Sequence, residues 1–165
     1  MQRLLPLDDR ENRIPFLSTQ SDWTAVITNS QPGSQGQDAD AVSGFTLSER
    51  IKIKLRPADI FTPRKNGGHV GGMRWFSYGN PGSRFDCFPS RTFYAAQGES
   101  GPRWKKFEDG IPLAFENEKD LSEARKNMFP AEYIRWCAAQ MGIDFENPSF
   151  YLNRGILLTK FCGPF

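Results

Sequence analysis

The sequence predicts an α+β fold: a twisted, mainly antiparallel sheet with one helical region, about residues 118–141, packed on it. Three observations carry this. Residues 49–56 read ERIKIKLR, so Ile51, Ile53 and Leu55 alternate with Arg50, Lys52, Lys54 and Arg56. A period of two sends the first set to a core and the second to solvent. Residues 118–141 have helical spacing, with Leu121, Ala124 and Met128 on one face, then Ile134, Cys137, Ala138 and Met141 at i, i+3, i+4 and i+7. Strand-like segments cluster before this region and one follows it, which fits segregated strands and helices rather than repeating βαβ units. A sheet of about four to six strands is expected.

The 165 residues are expected to form a single domain. Residues 1–18 read as an irregular N-terminal arm, because Pro6 and Pro15 oppose regular structure. Residues 23–28 (WTAVIT) are β-rich and read as a strand. Residues 29–44 (NSQPGSQGQDADAVSG) have little to bury and read as a flexible internal loop. Pro57 ends the alternating strand. Short strands fit at 72–78 and 91–96, joined by the turn-rich Gly79-Asn80-Pro81-Gly82. In the helical region Asn117 is an N-cap with Asp120 three residues on. Pro130 breaks or restarts the helix, since proline is well tolerated only in a first turn. Gly142 stands where a left-handed C-terminal residue belongs. A last strand follows at 150–161, bent at Gly155. The expected core holds Ile51, Ile53, Leu55, Ile134, Cys137, Ala138 and Leu157.

Composition narrows the function. Fourteen Phe, four Trp and four Tyr supply large core side chains. No apolar run approaches the ~20 residues a bilayer needs. The start, MQRLLPLDDREN, carries no signal-peptide pattern, so a cytoplasmic protein with no membrane partner is expected. Cys87, Cys137 and Cys162 are widely spaced and form no CxxC, which excludes a zinc ribbon and a redox motif and points to buried free thiols. His69 is the single histidine, in the loop-like GGHVGG, so a two-histidine metal site is impossible. That run is not G-x-G-x-x-G and follows no strong strand, and no Walker motif occurs. No cofactor or metal is expected.

The net charge of +2 hides an uneven distribution. Residues 50–107 contain 12 Lys and Arg against three acids, whereas residues 1–49 and 108–165 are both net acidic. Ten of the 22 aromatics fall in residues 61–107, interleaved with the cations in Arg74-Trp75-Phe76, Arg84-Phe85, Arg91-Thr92-Phe93-Tyr94 and Arg103-Trp104-Lys105-Lys106-Phe107. Cations gain affinity for phosphates by releasing condensed counterions, and aromatic faces stack unpaired bases at ~1–3 kcal/mol each. The expectation is a non-enzymatic protein that binds single-stranded nucleic acid through a basic, aromatic-rich sheet. Arg74, Arg84, Arg91, Arg103, Lys105 and Lys106 would contact phosphates, with Trp75 and Trp104 as stacking residues. No helix carries the basic cluster, which disfavours major-groove reading.

Two other classes fit the same residues. A small protein-binding inhibitor of a nucleic-acid-handling enzyme could use the basic segment on an acidic surface, or the acidic flanks on a basic one. Separately, the order Arg74, then Ser90-Arg91-Thr92, then Glu116-Asn117-Glu118 resembles the Arg, Ser-x-Ser/Thr, Glu-x-Glu order of the ADP-ribosyltransferase family. The resemblance covers seven residues; the 23-residue gap between Thr92 and Glu116 is short for that family, and the middle motif departs from Ser-Thr-Ser. It implies an enzyme in which Glu118 orients a ribose and stabilises an oxocarbenium-like centre while Arg74 holds a phosphate.

Overall fold

The computed structural model describes residues 11–26, 46–56, 62–63, 69–80, 89–97 and 103–161. These fall into two compact units. One contains strands β1 (Glu11–Thr19), β2 (Thr24–Val26) and β9 (Tyr151–Phe161). The other contains β3 (Arg50–Arg56), β4 (Thr62–Pro63), β5 (His69–Val70), β6 (Met73–Gly79), β7 (Arg91–Gln97) and β8 (Trp104–Gly110), followed by helices α1 (Glu118–Lys126) and α2 (Ala131–Gln140). The fold is α+β with antiparallel sheets, as the patterning predicts.

The larger unit is built on a four-stranded antiparallel sheet in the order β3-β6-β7-β8. Ile51, Ile53 and Leu55 pack against the buried cluster of Phe76, Phe93, Leu121, Ala124, Phe129, Tyr133, Ile134 and Cys137. Both helices lie on this face of the sheet, with Phe93 in ring contact with Phe129 and Tyr133 at 4.8 and 5.5 Å between centroids. The other side of β3 departs from expectation. Lys52 and Lys54 are half-buried rather than solvated, the Lys54 ammonium lying over the Trp75 ring. Long lysine stems can cover apolar neighbours in this way while the head stays near water.

Helix boundaries follow local chemistry. Asn117 Oδ1 accepts from the Asp120 amide at 3.0 Å and its Nδ2 donates to the Asp120 carboxylate, the expected N-cap. α1 ends before Pro130 is reached. The Phe129 amide donates to the Ala124 carbonyl at 2.7 Å, with Met128 at φ 54°, so Met128 takes the left-handed place that glycine usually fills. Pro130 then restarts the chain as the N-cap of α2. Gly142 follows α2 at φ 73°.

β8 was not legible as a strand, because WKKFEDG has no apolar alternation. It lies at the edge of the sheet, where charged side chains are the norm. The smaller unit corrects the reading of residues 1–18 as an irregular arm: residues 11–19 form β1, paired with β2 and β9. Among the described residues β2 pairs with Phe16, Leu17 and Ser18, and Pro15 itself stands opposite Leu157 of β9. Gly155 has a packing reason, since a Cβ there would sit 2.2 Å from the Phe16 carbonyl oxygen. The expected flexible loop at 29–44, Leu157's side chain, Cys87 and Cys162 lie outside what the structure describes.

Candidate functional site

The four-stranded sheet has two chemically different faces. On the helix side, Arg91 at the start of β7 is fully buried. Its guanidinium donates to Glu116 Oε1 and Oε2 at 3.0 and 2.7 Å, to Glu108 Oε1 at 2.8 Å and to the Asp109 carbonyl at 3.3 Å. Burial opposes the charge, but the bonds to Glu116 and Glu108 outweigh it and hold the guanidinium's pKa above its usual value. Glu116 also accepts from the Leu113 amide and the Tyr133 hydroxyl. Glu108 is shared with Arg125, whose hydrogen bond, together with those of Arg91, holds its carboxyl below the ordinary range. Burial, then the charge of Glu116, pushes the neighbouring Cys137 thiol up to about 12. This is a structural network sealed at Arg91 and Glu116, with Glu108 and Arg125 partly exposed at its rim.

The opposite face is open in part and carries a cross-strand row. The registers align Lys54, Trp75, Tyr94 and Phe107 on β3, β6, β7 and β8. Trp75 stacks on Tyr94 at 4.6 Å and 3°, and Tyr94 on Phe107 at 5.2 Å and 24°. The rings therefore stand up from the sheet, face against face, each pair contributing ~0.5–1.5 kcal/mol beyond area burial. The Lys54 ammonium lies over the Trp75 ring, 6.0 Å from its centroid. Only the last ring, Phe107 on the edge strand, keeps an outward face, and it is 45% exposed. Beside this row lie two buried polar atoms with no hydrogen-bond partner, Trp75 Nε1 and Thr92 Oγ1.

The residues expected to bind nucleic acid are distributed over both faces. Arg91 is removed from that set, because its guanidinium is buried and committed to carboxylates. Trp75 is half-buried, with one ring face committed to Tyr94 and the Lys54 ammonium 6.0 Å from its centroid. Arg84 lies outside the described residues. Lys105 is exposed and shares a side of β8 with Phe107, and the exposed Arg103 immediately precedes the strand. Trp104 and Lys106 project to the helix side of that strand. Arg74 stacks its guanidinium on Trp104 at 4.4 Å, and Lys106 donates to the Arg125 carbonyl at 2.9 Å. Sequence reasoning missed Tyr94 and Phe107. Their signal was the cross-strand register, which composition does not carry.

The residues of the ADP-ribosyltransferase-like order do not converge. Thr92 belongs to the face opposite Arg74, Glu116 is sealed against Arg91, and Glu118 sits in the first turn of α1 paired with Arg125. A shallow open cleft of about 300 Å³ between α1 and α2 is lined by Asp120, Glu123, Asn127, Tyr133 and Trp136, and by none of these motif residues. Among the described residues no His, Cys, Asp and Glu group could hold a metal, and no helix is long and apolar enough to cross a membrane. No family model, curated protein or solved structure matches the chain.

Proposed function

We propose that the chain binds single-stranded nucleic acid along β8, without catalysis, using Phe107 to stack a base and Arg103 and Lys105 to meet phosphates. The observation that carries this is the placement of Phe107 as the open end of a ring stack. The ring is held upright by Tyr94, so its outward face is presented with little ordering to do on binding. Lys105 and Phe107 stand two residues apart on one side of the strand, about 6.8 Å along it, and Arg103 lies just before its first residue. Trp104 with Arg74, and Lys106, offer a second cationic and aromatic set on the other side of the same strand. Neither α1 nor α2 concentrates positive charge, which supports single strands over a duplex major groove.

Fluorescence anisotropy with labelled DNA and RNA oligonucleotides tests the reading. Binding is expected at low salt, weakening with a log–log slope of about −0.7 per phosphate neutralised. Absence of binding to both at low salt removes the proposal. One observation favours a second reading, a protein-binding inhibitor: Ile111, just beyond β8, is 82% exposed, an apolar side chain left in solvent near Phe107 in sequence.

A further inference from the structure

We infer that β8 is also a self-association edge, on which a second copy of this chain pairs antiparallel, Phe107 against Phe107, to join two four-stranded sheets into one. The inference does not rest on the nucleic-acid reading. Among the described residues β8 pairs with β7 alone, and no described strand pairs with its other side. Such edges are usually guarded by charges that repel a second strand. Here the charges do the opposite in one arrangement. The strand reads Trp104-Lys105-Lys106-Phe107-Glu108-Asp109-Gly110, with two cations before the central ring and two anions after it.

Antiparallel pairing centred on Phe107 sets Lys105 of each copy opposite Asp109 of the other, and Lys106 opposite Glu108. Trp104 meets the side-chain-free Gly110. Both Lys105 and Asp109 are exposed on the side away from the helices, on either side of Phe107. Glu108 is already held by Arg91 and Arg125, so the Lys105–Asp109 pairs carry the selectivity. A parallel arrangement in register would put Lys on Lys and Asp on Asp, and like charges directly opposite are destabilising. A shift that centres the pairing on Lys106 sets Arg103 opposite Asp109 but brings the two Lys106 residues together and leaves Lys105 opposite Phe107. Of these arrangements, the antiparallel one centred on Phe107 is the one that avoids a like-charge pair.

A two-fold axis normal to the sheet keeps the aromatic face of both copies on the same side. The row Trp75, Tyr94, Phe107 would then continue without interruption into Phe107, Tyr94 and Trp75 of the second copy. This covers the exposed Phe107 ring and closes two edges at once, as expected of an isologous contact.

Sedimentation equilibrium on the full chain, freed of nucleic acid, tests this between roughly 10 µM and 1 mM. The wild type is expected to dimerise reversibly. Lys105→Asp and Asp109→Lys should each weaken the dimer about tenfold or more, because two attractive pairs become two repulsive ones. The decisive arms are the rescues. An equimolar mixture of the two single variants restores opposite charges across the interface and should dimerise like the wild type. So should the double variant Lys105→Asp/Asp109→Lys. A wild type that stays monomeric throughout overturns the inference. So does a dimer indifferent to the single changes, or one that neither rescue restores. Oligonucleotide binding is scored separately, so failure of either proposal leaves the other readable.

Discussion

Replacing Glu116 by Gln should destabilise the larger unit by about 3 kcal/mol, because it removes one of the two carboxylates that compensate the fully buried Arg91 guanidinium. The Arg91 side chain has no exposed surface, and neither has that of Glu116. Removing one member of a buried pair typically costs about 3–5 kcal/mol, most of it the penalty of leaving the other charge uncompensated. Glu108 remains at 2.8 Å from Arg91, which places the expected loss at the lower end of that range. Urea unfolding followed by tryptophan fluorescence suits the measurement, since Trp75, Trp104 and Trp136 belong to this unit and Trp23 to the other. The midpoint should fall with the slope unchanged. Arg91→Leu and Glu116→Leu should each be similarly damaging, yet the two combined should lose less than either alone, because no orphaned charge remains at the pair. A loss below about 1 kcal/mol for Glu116→Gln, or simple additivity in the double variant, would refute the view that this pair is a coupled structural unit.

Three further outcomes are expected. Cys137, whose ionisation is pushed up to about 12, should resist alkylation at pH 8 until the chain is unfolded. The unfolded thiol ionises first, so its contribution to stability is intact below about 8.5 and is lost as pH rises toward the folded value. Glu108 behaves in the opposite sense: held down first by Arg125 and also by Arg91, it stabilises the fold above about pH 4.3 and loses that effect as pH falls through its lower folded value. Glu108→Gln should therefore flatten the acid limb of a stability–pH curve. Finally, base stacking and self-association compete for the same face of Phe107. Saturating oligonucleotide should shift the sedimentation profile toward one chain per complex, and an unchanged dimer carrying oligonucleotide would separate the two surfaces.

What the sequence revealed depended on how far each signal reaches along the chain. β3 and α2 were legible because their apolar spacing is local: Ile51, Ile53 and Leu55 at period two, Ile134, Cys137 and Ala138 at helical spacing. Asn117 and Gly142 were legible for the same reason, since capping is decided within one turn. β8 was not, because an edge strand buries too little to need alternation. Residues 11–19 were misjudged because proline was weighed locally, whereas the pairing that makes them a strand comes from residues 151–161. For the candidate site, counting cations and aromatics in residues 50–107 found the right segment but could not sort its faces. Arg91 and Arg103 look alike in sequence, yet a partner 25 residues away, Glu116, buries one and leaves the other in solvent. Trp75 and Phe107 likewise differ only by their places in a row of four strands.

The central claim is that Phe107 and the cations beside it on β8 form a binding edge for single strands. The most direct measurement is the salt dependence of oligonucleotide affinity for the wild type, Phe107→Ala and Lys105→Ala. Phe107→Ala should weaken binding by about 1–3 kcal/mol while leaving the slope nearly unchanged, as loss of one stacked base requires. Lys105→Ala should make the slope shallower by about 0.7. Wild-type affinity and slope in both variants would contradict the account and place any nucleic-acid contact away from this edge.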